Sequence, residues 1–83
     1  MKIENAIKKL KKEGFKVKQS ERADNRYIAE KEGHRNFIEF ITQDGSLIII
    51  DLRRKGQEDD SLTDYHAGTF CDNLSQALRI GGF

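Results

Sequence analysis

No proline occurs among the 83 residues, there is one cysteine and there are two histidines. No apolar run approaches the roughly 18 residues that a membrane span requires. Each shortage excludes something. A single cysteine, Cys71, gives no disulfide framework within the chain. Few histidines and no CxxC or HxxxH spacing leave a structural zinc without a ligand set, so no metal is expected. No GxGxxG or GxxxxGK[ST] sequence is present, which removes the common phosphate-cradling loops, and no cofactor is expected. The opening MKIENAIKKL mixes charge with apolar residues too early for a secretory signal. With the lone cysteine and the missing span, this makes the cytoplasm the expected location.

What is present describes one small solvated domain, residues 1–83. Charged residues make up 35% and apolar residues 36%, a balance that permits a modest core under a charged exterior. The formal net charge is only +1, but it is unevenly spread. Residues 1–20 hold seven lysines against Glu4 and Glu13, a local balance of +5. Residues 57–72 hold Glu58, Asp59, Asp60, Asp64 and Asp72 without Lys or Arg, a balance of −5. Such asymmetry can orient the encounter with a charged partner; the plainer reading is two solvated faces.

Periodicity sets the elements. Ile3, Ala6, Ile7 and Leu10 recur at helical spacing, and Lys8, Lys9, Lys11 and Lys12 crowd the C-terminal half, where cations suit the helix dipole. Gly14 reads as a left-handed cap, with Phe15 as its apolar contact back onto the helix. Four strand-like segments follow: FKVKQ (15–19), RYIAE (26–30), NFIEFI (36–41) and LIIIDLRR (47–54). Asp44-Gly45 between the last two is a strong hairpin signal. The Ile run suggests a central strand, with Ile48, Ile50 and Leu52 pointing one way and Leu47, Ile49 and Asp51 the other. A last helix starts near Asp72 or Asn73, with Asp72 as N-cap, carries Leu74, Ala77, Leu78 and Ile80, and stops at Gly81-Gly82. The expected fold is α+β, in the order α-β-β-β-β-α, with one antiparallel sheet and two helices packed on it. If both helices share one face, the other exposes Phe37, Ile41, Leu47 and Ile49 with Glu39 and Asp51 between them. That face is then open to a partner or to self-association, unless long Arg and Lys stems cover it.

Several residue sets are candidates for chemistry. Cys71 and His66 stand five apart, and a small buried thiol is the commoner role for such a cysteine. Glu58, Asp59 and Asp60 lack the alternating ligands and glycine turn of a calcium loop. They read as a solvated loop or, more sharply, as an acidic surface turned to a partner. Lys8, Lys9, Lys11, Lys12, Arg53 and Arg54 are the basic residues a nucleic-acid-binding module would use, but near-neutral overall charge predicts weak electrostatic binding.

The element order resembles double-stranded-RNA-binding domains. Those place lysines at the start of their last helix, where Asp72-Asn73 stands here, which argues against their mode of RNA contact. AIKKLKKEGF at the start and GTFCDNLSQALRIGGF at the end resemble HicA-type toxins, small RNA-cleaving proteins on a similar fold. Their one catalytic histidine sits in a GSH motif, whose nearest match is Gly33-His34 in KEGHRNF. The resemblance implies His34 as general acid/base; the alternative is a turn residue.

The stretch LRRKGQEDDSLTDYHAGTFCDNLSQAL resembles small domains carried by phages and other mobile elements, including those attached to large polyvalent proteins. They share an Arg-rich strand, an acidic loop and an aromatic stretch before a helix, here Asp64, Tyr65, Ala67, Gly68 and Phe70. The resemblance implies a mobile-element accessory, with interference in a host system as one role, and no particular reaction. On this reading TDYHAGTF seats the last helix: Tyr65 and Phe70 enter the core beside Ala67-Gly68, Thr69 helps cap, Asp64 pairs with Arg53 or Arg54, and His66 points outward. The expectation is therefore a non-enzymatic domain that binds another macromolecule, a protein before a nucleic acid. Its contact residues would be Glu58, Asp59, Asp60, Asp64, Tyr65 and His66 together with the open sheet face.

Overall fold

A computed structural model describes residues 1–21, 23–54 and 69–83. Helix α1 spans Ile3–Lys12, and α2 spans Leu74–Ile80. Between them run β1 (Lys16–Gln19), β2 (Arg26–Glu30), β3 (Asn36–Gln43), β4 (Ser46–Arg54) and β5 (Thr69–Cys71). The strands form one antiparallel sheet in the order β1-β2-β3-β4-β5. The expected architecture holds, with a short fifth strand added at the edge.

Local chemistry explains the boundaries. Lys2 gives α1 no side-chain cap. Instead the Ile3 amide donates to the Gly45 carbonyl at 2.9 Å, and the Leu47 amide donates to the Met1 carbonyl at 2.8 Å, which ties the first residues to the β3–β4 hairpin. At the other end Gly14 takes φ +94°, its amide reaches Lys11 O, and the Phe15 amide reaches Leu10 O at 2.9 Å. These two bonds make a Schellman cap, and Phe15 and Leu10 meet in the core. For α2 the cap is Asn73, whose side chain accepts from the Gln76 amide at 2.8 Å; Asp72, the expected cap, lies one residue earlier.

The hairpin turn has Asp44 at φ +52° and Gly45 at φ +77°, the double positive of a type I′ turn. Apart from its two chain neighbours, nothing lies within 4 Å of where a Cβ on Gly45 would stand, so the cost of replacing it lies mainly in the backbone. Gly45→Val is expected to cost about 1–2 kcal/mol. Thermal unfolding should show a Tm several degrees lower; an unchanged Tm would show that the turn is not held as described.

The core lies on one side of the sheet. Ala29, Ile38 and Leu52 stand in one cross-strand row, and Tyr27, Phe40, Ile50 and Cys71 in the next. Ala6 and Leu10 of α1 and Leu74 and Ala77 of α2 join them in one buried cluster. Both helices therefore pack on the same face, and the Lys9 ammonium links them by donating to Ser75 Oγ at 2.9 Å. A register shift between Ile41 and Thr42 pairs Thr42 with Leu47 and leaves Ile48 unopposed. This bulge corrects the expected alternation. Leu47 packs on the core instead of the open face, and Ile48 is exposed instead of pointing with Ile50 and Leu52.

Candidate functional site

The face of the sheet away from the helices has no helix packed on it among the described residues. Three cross-strand rows make it up. The first is Lys16, Glu30, Phe37 and Arg53. The second is Lys18, Ile28, Glu39, Asp51 and Phe70. The third is Arg26, Ile41 and Ile49. Apolar and charged residues interleave, as the sequence suggested for Phe37, Ile41, Ile49, Glu39 and Asp51. The expectation that this face exposes them is corrected: Phe37 and Asp51 are buried, Ile41 and Glu39 are half-buried, and of these only Ile49 is exposed.

A charge network occupies the centre. Glu39 and Asp51 are register partners, and two like charges set directly opposite on a sheet repel. Arg53 compensates: its Nη1 lies 3.2 Å from Glu39 Oε1 and 3.4 Å from Asp51 Oδ2. Arg26 adds a longer contact, 3.9 Å to the same Glu39 oxygen. The network is largely withdrawn from water, with Arg53 11% and Glu39 14% exposed. Burial pushes the Asp51 carboxyl above its ordinary value; Arg53 pulls it down, and Glu39 pushes it up. Asp51 Oδ1 and Arg26 Nε are buried without a hydrogen-bond partner, so the network is not fully satisfied. One guanidinium thus bridges two carboxylates that would otherwise repel each other.

The apolar residues are more exposed toward β5. Phe70 faces this side as the partner of Asp51 and is 78% exposed, which corrects the expectation that it enters the core. Its neighbour Thr69, expected to help cap the last helix, is instead the first residue of β5. Ile49 stands diagonally from Phe70 and is 36% exposed. Ile48 and Met1 are exposed further along the outer side of β4. Large apolar side chains thus gather on one edge of the sheet, beside the buried charges.

The other predicted residues are more scattered. Glu58, Asp59, Asp60, Asp64, Tyr65 and His66 lie outside the described residues, and so does any pairing of Asp64 with Arg53 or Arg54. Lys8, Lys11 and Lys12 are exposed on α1, while Lys9 is half-buried at its bond to Ser75. Arg53 sits on the opposite face of the sheet, inside the network, and Arg54 is exposed at the end of β4. The six basic residues do not converge on one surface. His34 lies in the β2–β3 turn with its ring 5.3 Å from that of Phe83. Phe83 meets Phe15 edge-on at 4.8 Å, and Asn36 Nδ2 donates to Gly81 O at 2.9 Å. A Cβ on Gly81 would lie 2.4 Å from the Phe83 ring, so the bare glycine lets the last residues fold back. His34 belongs to this packed corner. Cys71 is half-buried, and burial raises its thiol pKa, the opposite of an activated nucleophile. No cluster of three or more metal-ligating side chains occurs among the described residues, and none of the described helices is long and apolar enough to cross a membrane.

Sequence reasoning missed Arg26 and Arg53 as partners of Glu39. Arg53 and Asp51 alternate on one strand, and that spacing was the available signal; Glu39 joins them only through the β3–β4 register. Compared with family models, with curated proteins and with solved structures, the chain gave no match.

Proposed function

We propose that this domain works by binding another protein, and that it docks through the outer edge of β4 and β5 together with Ile49 and Phe70 on the adjoining sheet face. The observation that carries this reading is the exposure of Phe70 at 78%, with Ile49 on the same face and Ile48 and Met1 along the same edge. Contiguous exposed apolar side chains rimmed by charge are the usual mark of a contact surface. The rigid charge network beneath would hold that surface in one shape. The acidic stretch Glu58, Asp59, Asp60 and Asp64 with Tyr65 and His66 precedes β5 in the chain and is the proposed polar part of the same contact. The resemblance of this segment to mobile-element domains supplies the context: an accessory protein in the cytoplasm, acting on a host component.

The test is affinity capture with the tagged protein. Ile80, 50% exposed on α2, gives a control at an exposed apolar side chain on a helix instead of the sheet edge. Recovery of a partner should survive Ile80→Ser. It should fall at least about tenfold in Phe70→Ser and in the double charge reversal Asp59→Lys/Asp60→Lys, with folding unchanged by circular dichroism. Equal recovery by all four proteins would sink the reading.

A further inference from the structure

The sheet has two edges, and they are unlike. The β1 edge reads Lys16-Val17-Lys18-Gln19, with both lysines exposed. Alternating lysines are a common device against edge-to-edge pairing: two such strands brought together antiparallel set ammonium groups near each other. The β5 edge reads Thr69-Phe70-Cys71, with no charge, no proline and no bulge. Its one large side chain stands out in water instead of being turned inward. Among the described residues nothing pairs with its outer side.

We propose that the partner at this edge is a second copy of the chain, joined by antiparallel pairing of β5 with β5 about a two-fold axis at Phe70. This rests on the reading that the edge binds protein, and names the partner. Three features favour a copy. First, the strand is self-complementary: pairing centred on Phe70 sets Thr69 opposite Cys71 of the copy, with no charge brought against charge. Second, the axis places the two Phe70 rings side by side on the open face. Ile49 lies diagonal to each ring, so Ile49 and Phe70 of both copies form one unbroken apolar strip across the joint. Third, a net charge of +1 leaves little long-range repulsion between copies. A head-to-tail pairing of β5 with β1 would leave an open edge at each end and grow without closing, whereas the two-fold joint closes after two copies. Three residues of edge and two aromatic rings bury less than the roughly 1,200 Å² of a standard stable interface. The dimer should therefore be weak, forming at high micromolar concentration and dissociating on dilution.

Sedimentation equilibrium over a wide concentration range tests this directly. The unaltered protein should show a monomer–dimer equilibrium, and Phe70→Lys should weaken it at least about tenfold. Circular dichroism confirms that the variant folds. The register is tested separately in a Cys71→Ser background. Phe70→Cys places two thiols on the axis, within disulfide reach for facing strands. Mild oxidation should give a covalent dimer, while Lys18→Cys at the charged edge should give little. A monomer at every concentration, or cross-linking of Phe70→Cys no faster than of Lys18→Cys, would overturn the proposal. If the monomer still captures a partner in a Phe70-dependent way, the protein-binding reading stands and only the identity of the partner falls. If the dimer forms as proposed while capture of a different protein ignores Phe70, the edge serves self-association alone, and Phe70 is struck from the contact with any other partner.

Discussion

Arg53→Met is expected to cost about 3–5 kcal/mol of stability at neutral pH, because it leaves two buried carboxylates facing each other with only the longer Arg26 contact to Glu39 as compensation. Glu39 and Asp51 are register partners, and Arg53 reaches both at 3.2 Å and 3.4 Å. For a domain of this size such a loss is a large share of the total, on the order of 0.05–0.15 kcal/mol per residue. The deficit should depend on pH, with a sign fixed by Asp51. Its carboxyl is already raised above 3.8, chiefly by burial, and Arg53 is the main influence holding it down. Removing Arg53 raises it further. A native carboxyl with a raised pKa binds its proton more tightly than the unfolded chain does. Stability is then highest below the unfolded value and falls as pH rises through the native one. Acidifying from pH 7 toward the ordinary carboxylate range should therefore narrow the gap between variant and parent. Urea unfolding at pH 7 and pH 5 measures it, and adding Asp51→Asn to Arg53→Met should recover much of the loss at pH 7. A deficit that is equal at both pH values, or unrelieved by Asp51→Asn, would mean that the guanidinium acts by packing and not by charge.

That network illustrates where the sequence stopped being readable. Glu39 and Asp51 could be assigned to the open face by counting alternate residues. Arg53 has the same parity as Asp51, yet it read as the basic end of a strand and as a candidate phosphate contact. Only the register of β3 against β4 shows that its neighbours are acids. The same counting failed at Leu47. Period-two logic holds until the chain inserts a residue, and the shift between Ile41 and Thr42 reverses every assignment on the Leu47 side of Ile49. Nothing in the Ile run marks the bulge, since each of its residues is apolar whichever way it points.

Elements governed by local chemistry were legible. Gly14-Phe15 specified the end of α1, and Asp44-Gly45 specified the hairpin, because a positive φ restricts the residue type at the position itself. The last helix was placed within a residue by its cap. β5 was not legible, because three residues carry no period of their own and become a strand only by pairing with Ile50, Asp51 and Leu52. Phe70 accordingly read as a core residue: an aromatic between small residues and a helix start is most often buried. The supporting β4 edge turns it outward instead.

The sharpest contrast between fold and surface is between two phenylalanines. Phe40 is 0% exposed, pairs in register with Tyr27 and Ile50, and stacks on the Tyr27 ring at 5.5 Å with the planes 10° apart. Phe40→Ala should cost about 3–5 kcal/mol, the lost transfer energy of the ring plus the cavity beneath both helices. In an 83-residue domain that is expected to leave a large unfolded fraction at 37 °C, seen as loss of near-ultraviolet dichroism and a collapsed urea midpoint. Phe70→Ser removes a ring of the same size from β5, but that ring is 78% in water in the isolated chain, so stability should stay within about 0.5 kcal/mol of the parent. Such an outcome would leave the ring at Phe70 without a part in the fold's own packing, as the proposed interface requires. If Phe70→Ser instead destabilised the domain as Phe40→Ala does, the β5 edge would belong to the fold's own packing, and the case for an interface there would fail with it.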